Sequence, residues 1–149
     1  MLTSAPQFQS PASSALVVSR GEAGFASGGV RLLLRLEGVA AFAVAVALYA
    51  HAGFSWPIFE LFFLAPDLAM LGYFAGPRAG AAVYNFVHTY TVALPLVLAG
   101  FLALPALTAA GLILIAHIGL DRAFGYGLKY STAFGDTHLG RSGRRRDAR

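Results

Sequence analysis

The chain contains no cysteine, which excludes disulfides, thiolate metal sites and cysteine nucleophiles. Charge is scarce as well. Only 12% of the 149 residues are Asp, Glu, Lys or Arg, against about 25% in a soluble domain. Apolar residues make up 57%, and the mean hydropathy is +0.65. This balance argues against a water-soluble enzyme, a disordered protein and a nucleic-acid-binding module. The length fits a single domain.

Residues 1–30 are rich in Ser, Ala, Gly, Gln and Pro and show no sustained apolar period. The run 15–18 is too short for a signal-peptide core, and no basic stretch precedes it. This part reads as a flexible tail. Four apolar segments follow, at about 31–51, 57–75, 79–100 and 103–123, and each matches the ~20 residues that a membrane-crossing helix needs. Backbone amides in lipid must be satisfied within their own segment, so helices are expected. Length settles the choice between helix and buried strand where periodicity does not. The links are short (52–56, Gly76-Pro77-Arg78 and Phe101-Leu102), so neighbouring helices run antiparallel. The expected fold is an all-α integral membrane bundle of four transmembrane helices over residues 31–124. A turn-rich segment with a basic end, 125–149, follows it. Asp67 before Gly72-Tyr73 and Asp121 before Gly125-Tyr126 are compatible with a duplicated hairpin or with chance.

Charge placement predicts the topology. Arg20, Arg31 and Arg35 precede or open the first segment, and Arg78 lies in the second link. Arg122, Lys129, Arg141, Arg144, Arg145, Arg146 and Arg149 close the chain. The first and third links carry no Lys or Arg. The positive-inside rule then places both termini in the cytoplasm, in the inner membrane of a cell. Orientation therefore accounts for the net charge of +4 and the pI near 9.9, and no nucleic-acid partner is expected. The lipid bilayer is the expected partner, with anionic headgroups available to the basic tail. Trp56 suits the outer interface.

Ionisable groups at membrane depth are costly and face a bundle interior or a wet cavity. At 1.5 Å per residue from the cytoplasmic helix ends, Glu37, Asn85 and His117 lie about 9 Å deep, Asp67 about 12 Å, His88 about 13 Å and Asp121 about 3 Å. All six fall in the cytoplasmic half, and all four segments contribute. His117 and Asp121 share a helix face, as do Asn85 and His88, and Tyr84 and His88. Pro66 frees a backbone carbonyl and bends the second helix next to Asp67, and Pro95 is a second candidate bend. Two imidazoles with carboxylates form a ligand set for a divalent transition metal, Zn, Fe or Mn, with His88, His117, Asp67 and Asp121 as the metal candidates. The same set would serve proton relay or general acid/base work. The structural alternative is that these groups only clamp the helices together.

Other polar residues carry weaker signals. His51 and Glu60 lie near the outer end and read as solvated. Gly72, Gly76 and Gly80 form small-residue spacings that Pro77 interrupts, so a turn or tight packing is expected. Arg31 and Arg35 are expected to snorkel to headgroups. Tyr84, Tyr90, Tyr126 and Tyr130 read mainly as interfacial anchors, with service to the site as the alternative. Asp136 and His138 are candidates to fold back under the cytoplasmic mouth.

The strings RLEG, APDLAMLGY, YNFVHTY, AHIGLDRAFGYGLKY and DTHLG resemble those of a small four-pass bacterial membrane family known as domain of unknown function 4260. The resemblance covers about residues 32–140 and matches that family at Glu37, Asp67, Asn85, His88, His117, Asp121, Arg122, Lys129, Asp136 and His138. It implies an integral membrane protein and no established activity. Three functional expectations follow. The first is a site of Glu37, Asp67, Asn85, His88, His117 and Asp121 that binds or acts on a small or lipid-soluble molecule, with a metal as one version. There the histidines ligate or shuttle protons, the carboxylates ligate or act as base, and Asn85 orients the substrate. The second is a proton- or ion-coupled carrier, working as a homo-oligomer. The third is a non-catalytic subunit of a larger membrane complex.

Overall fold

The computed structural model describes residues 24–141. The expected tail up to residue 23 and the basic end 142–149 lie outside the described residues. Four helical segments are long and apolar enough to cross a membrane: Gly28–His51, Trp56–Ala75, Pro77–Leu102 and Pro105–Phe124. The chain is a multi-pass membrane protein with an all-α bundle. Three of the four segments open on a proline, Pro57, Pro77 or Pro105, where the missing N–H has no intrahelical partner to lose. The second link turns at Gly76, with φ 104°, and the fourth segment ends at Gly125 in the left-handed region, a conformation that glycine alone adopts without a Cβ clash.

The first and fourth segments are continuous helices, α1 (Gly28–His51) and α5 (Pro105–Phe124). The two middle segments, expected as single helices, are each broken. The second runs as α2 (Trp56–Phe63) and then as a 3-10 helix over Ala65–Ala75. Pro66 cannot donate to the carbonyl of Phe62, and its ring crowds that carbonyl, so the chain tightens there, as the sequence predicts. Eleven residues is long for a 3-10 helix, which usually ends within three or four. The third segment divides into α3 (Pro77–Val87) and α4 (Tyr90–Leu102). Its break lies at His88 and Thr89 and not at Pro95, which sits inside α4. Thr89 is extended, and its side chain accepts from the Thr91 N–H to start the new helix.

Helix α5 is the centre of the bundle, with Gly111, Leu112, Ile113, Ala116, His117, Ile118 and Gly119 all buried. Helices α1 and α4 pack along it. The α1–α5 crossing is made by two glycines: a Cβ on Gly38 would stand 2.7 Å from the Gly119 carbonyl oxygen, and one on Gly119 would stand 2.7 Å from that of Gly38. Nothing larger fits such a backbone approach, the close packing that small residues give membrane helices. Above the crossing, Ala45, Tyr49, Leu112, Ile113 and Ala116 form the apolar core. The expected Gly72/Gly76/Gly80 region combines a turn at Gly76 with packing of the Tyr73 ring on Gly80. Large apolar side chains such as Phe74, Phe101 and Leu61 point outward, as lipid-facing residues do.

The segment after α5 folds back onto the bundle. Asp136–Thr137 and Gly140–Arg141 form a two-stranded antiparallel hairpin, β1 and β2, whose Leu139 is fully buried. Ala26 N–H donates to the His138 carbonyl at 2.8 Å, and Tyr130 donates to the Gly24 carbonyl at 2.6 Å, so the residues just before α1 are pinned to it. Arg35, expected at headgroups, donates from Nε to the Ala123 carbonyl at 2.7 Å, satisfying one of the open carbonyls at the α5 C-terminus.

Candidate metal centre

The breaks in the two middle segments bring four polar side chains to α5. Asp67 comes from the first turn of the 3-10 helix, His88 from the end of α3, and His117 and Asp121 from consecutive turns of α5. One ligand atom from each lies within 4.8 Å of all the others. His88 Nε2 and His117 Nε2 are 3.1 Å apart. Each is 3.6 Å from Asp67 Oδ1 and 3.8 Å from Asp121 Oδ2. Among the described residues, this is the group of imidazoles and carboxylates that could share an ion.

The hydrogen bonds around the cluster select the ligating atoms. His88 Nδ1 is 2.9 Å from the Tyr84 carbonyl oxygen. A carbonyl only accepts, so Nδ1 carries the proton, and Nε2 of the neutral ring presents a lone pair to the cluster. This is the arrangement by which a backbone carbonyl sets the tautomer of a metal-binding histidine. That lone pair faces a second imidazole and two carboxylates, and either a proton on His117 Nε2 or a shared cation satisfies it. Bonds of about 2.0–2.1 Å in a tetrahedron place ligand atoms about 3.3–3.4 Å apart; the five separations that involve a histidine, 3.1–3.8 Å, bracket this spacing, and the two carboxylates stand within 4.8 Å of each other. Two nitrogens and two oxygens suit Zn, Fe or Mn. The residues present therefore fit a divalent transition metal.

The walls of the site are aromatic. The Tyr84 ring stacks on His88 with centroids 3.6 Å apart, and its hydroxyl donates to Asp121 Oδ2 at 3.1 Å. Phe63 meets His117 edge-on at 5.6 Å. Both imidazoles are buried, at 3% and 2% side-chain exposure, whereas Asp67 is 41% exposed and Asp121 22%. The cluster is thus closed around its nitrogens and open at Asp67. Lys129, from the returning segment, stands beside it. Its Nζ lies 3.6 Å over the Phe134 ring, 4.8 Å over that of Tyr84, and donates to the Phe134 carbonyl at 3.0 Å. Burial lowers the Lys129 ammonium below the usual lysine value, while Asp121 and Asp67 act in the opposite direction.

The six expected site residues are not all brought together. Asp67, His88, His117 and Asp121 converge. Glu37 stays exposed on α1 and outside the group, so α1 adds no polar residue to the cluster, although the six-residue site was expected to draw on all four segments. Asn85 points to the returning segment: its Nδ2 donates to the Lys129 carbonyl at 2.9 Å, and its Oδ1 accepts from the Lys129 N–H at 2.7 Å. Its observed role is to clamp the loop that carries Lys129.

Two further residues border the site. Tyr84, read mainly as an interfacial anchor, is buried at the site, and its spacing of four from His88 was the available signal. Lys129 carries a topological charge and a family-motif match in the sequence, and no local pattern places it here. His138 does fold back. Its Nδ1 accepts from the Leu128 N–H at 2.8 Å, and its Nε2 lies 3.3 Å from Arg122 Nη1. Burial, and then the Arg122 charge, hold His138 below the ordinary histidine value. Asp136, in β1, folds back with it and pairs with Arg141 at 2.9 Å.

Comparison with curated proteins and with solved structures yields no match. The family model described as Domain of unknown function (DUF4260) matches residues 31–142, a stretch that contains the last three spans, all but the first three residues of the first span, the His/Asp cluster and the returning hairpin. The chain belongs to the DUF4260 family.

Proposed function

We propose that this protein is a metal-dependent membrane enzyme whose divalent ion is held by Asp67, His88, His117 and Asp121. The observation that carries the reading is the convergence of four ligand atoms within 4.8 Å, two of them from buried imidazoles. Holding uncompensated polar groups together at membrane depth is costly, and a shared cation removes that cost. An ion at this position supplies Lewis-acid activation of water or of a substrate oxygen. The chain's own residues do the rest: the Tyr84 carbonyl fixes the His88 tautomer, the Tyr84 hydroxyl positions Asp121, and the exposed Asp67 edge leaves room for a substrate. Lysines and arginines gathered at the end of the bundle that bears the cluster support a site in the cytoplasmic half of an inner membrane.

Metal analysis of detergent-purified protein tests this reading. One Zn, Fe or Mn per chain is expected, lost in His88→Ala and His117→Ala and retained in Glu37→Gln. Wild-type protein without a stoichiometric transition metal after growth in metal-supplemented medium overturns it. Because the chain has no cysteine, single engineered cysteines at 53 and 135 report orientation. Labelling of 53 from outside intact cells and of 135 only after permeabilisation is expected.

A second reading has its own support. Both broken segments meet at the ligands, and interrupted helices at a midmembrane polar site are a mark of ion-coupled carriers. Proton- or metal-driven uptake into proteoliposomes separates the two: flux that His117→Ala abolishes favours the carrier, and turnover without flux favours the enzyme.

A further inference from the structure

A cavity of about 620 Å³ lies between α2 and α4, floored by α5, within the size range of small-molecule sites. Its walls include Phe62, Pro66, Val87, Leu96, Ala109 and Ile113. Three of these adjoin ligands of the metal centre: Pro66 precedes Asp67, Val87 precedes His88, and Ile113 stands one turn before His117. None of the four ligands lines the cavity, but its inner end lies one residue along the chain from Asp67 and from His88. From Ser55 to Pro66 the groove follows the second span for about 16 Å at helical rise. Ala106, Ala109 and Ala110 of α5 leave room at its floor. At the far end its polar groups are Ser55 and the Tyr49 hydroxyl, which donates to the Ser55 carbonyl at 2.8 Å. Neither carries charge. A long slot without a charged lining residue, ending next to the His/Asp cluster, is matched by a single hydrocarbon chain with a polar head.

The charge balance specifies the head. The carboxylates of Asp67 and Asp121 neutralise a divalent ion, and Lys129 adds one positive charge over the Tyr84 ring, whose hydroxyl is bound to Asp121. The loaded centre is then net positive and attracts an anion. We propose that the substrate is a single-chain amphiphile with an acidic head group, its chain in the groove between α2 and α4 and its head at the Asp67 edge beside Lys129. This inference rests on the metal reading above and gives it a substrate class.

The test uses the full-length, metal-loaded protein in nanodiscs with a photoactivatable long-chain fatty acid, its methyl ester and a monoalkyl phosphate competitor. The acid is expected to label groove peptides at least about tenfold more strongly than the ester, the difference of one charge-assisted contact. Lys129→Gln should erase that preference without reducing ester labelling. Ala109→Trp, or the outward-facing Ala110→Trp if the first does not fold, should block both probes while keeping one metal per chain. Competition by the alkyl phosphate would assign the site to acidic heads in general, and its failure would restrict the site to carboxylates; both support the inference. Equal labelling by acid and ester, or labelling insensitive to the tryptophans, overturns it and makes the groove an ordinary lipid-facing surface. Cross-links between two chains through the groove would also overturn it, assigning the slot to a second copy. Metal content measured on the same samples separates failure of this inference from failure of the metal centre.

Discussion

Replacing Tyr84 with Phe removes one oxygen from the wall of the cluster and leaves the rest of the ring. The ring stacked on His88 at 3.6 Å and 11° stays, so the change isolates the bond to Asp121 Oδ2. Loss of a partner that orients a metal ligand costs about 10–100-fold in metal affinity. At a free zinc concentration of about 100 times the wild-type Kd, binding stabilises the native protein by about 2.7 kcal/mol. The same concentration is only about 10 to 1 times the Kd of the variant, where the same relation gives about 1.4 to 0.4 kcal/mol. Thermal unfolding in detergent with and without zinc reads that difference, and competition against a fluorescent chelator reads the affinity directly. Equal zinc stabilisation of wild type and Tyr84→Phe, with His117→Ala still losing it, refutes the positioning role. Equal stabilisation in all three proteins refutes the metal centre itself.

Asn85→Ala should free the returning segment and leave the metal in place. It removes two hydrogen bonds to Lys129, a loss on the order of 1–3 kcal/mol locally, visible as faster hydrogen exchange over 126–141; loss of metal instead would put Asn85 in the centre. Gly119→Val should prevent α1 and α5 from meeting at the Gly38 carbonyl, costing at least about 1–3 kcal/mol as overpacking, seen as a lowered Tm; an unchanged Tm would dismiss the close crossing. Acid should loosen the hairpin through His138. Because its folded value lies below the ordinary one, the unfolded segment takes up the proton first. Stability is therefore full above about pH 6.5 and falls as pH drops below it. Protonation also takes the Nδ1 lone pair from the Leu128 N–H, so exchange at that amide should rise on acidification in wild type and show no such step in His138→Ala. Glu37→Gln should keep full metal occupancy, since the residue stands outside the cluster; a metal-free variant would bring α1 back into the site.

Much of this molecule is legible in its sequence. Four runs of apolar residues of membrane-crossing length specify the helices, because lipid forces each backbone to satisfy itself. The two acids and two histidines stood out because a charge at that depth is expensive, and rise per residue put them near one level. Pro66 announced the tightening of the second span through its missing N–H. The other break was not legible: Thr89 has no local signal strong enough to outrank Pro95, and the chain turns at Thr89 because His88 and Tyr84 settle against α5.

Depth and composition are properties of a chain read in one dimension, and they suffice to say that this is a membrane bundle with costly polar groups near one end. Which of those groups meet is a matter of rotation about each helix axis. A turn of a helix by one residue, about 100°, carries a side chain from ligand to lipid, and the Gly38–Gly119 approach together with the two breaks sets those rotations. That is why Glu37 and Asn85, at the same depth as His117, fall away from the cluster, while Tyr84 and Lys129, unremarked as a pair along the chain, come to stand beside it.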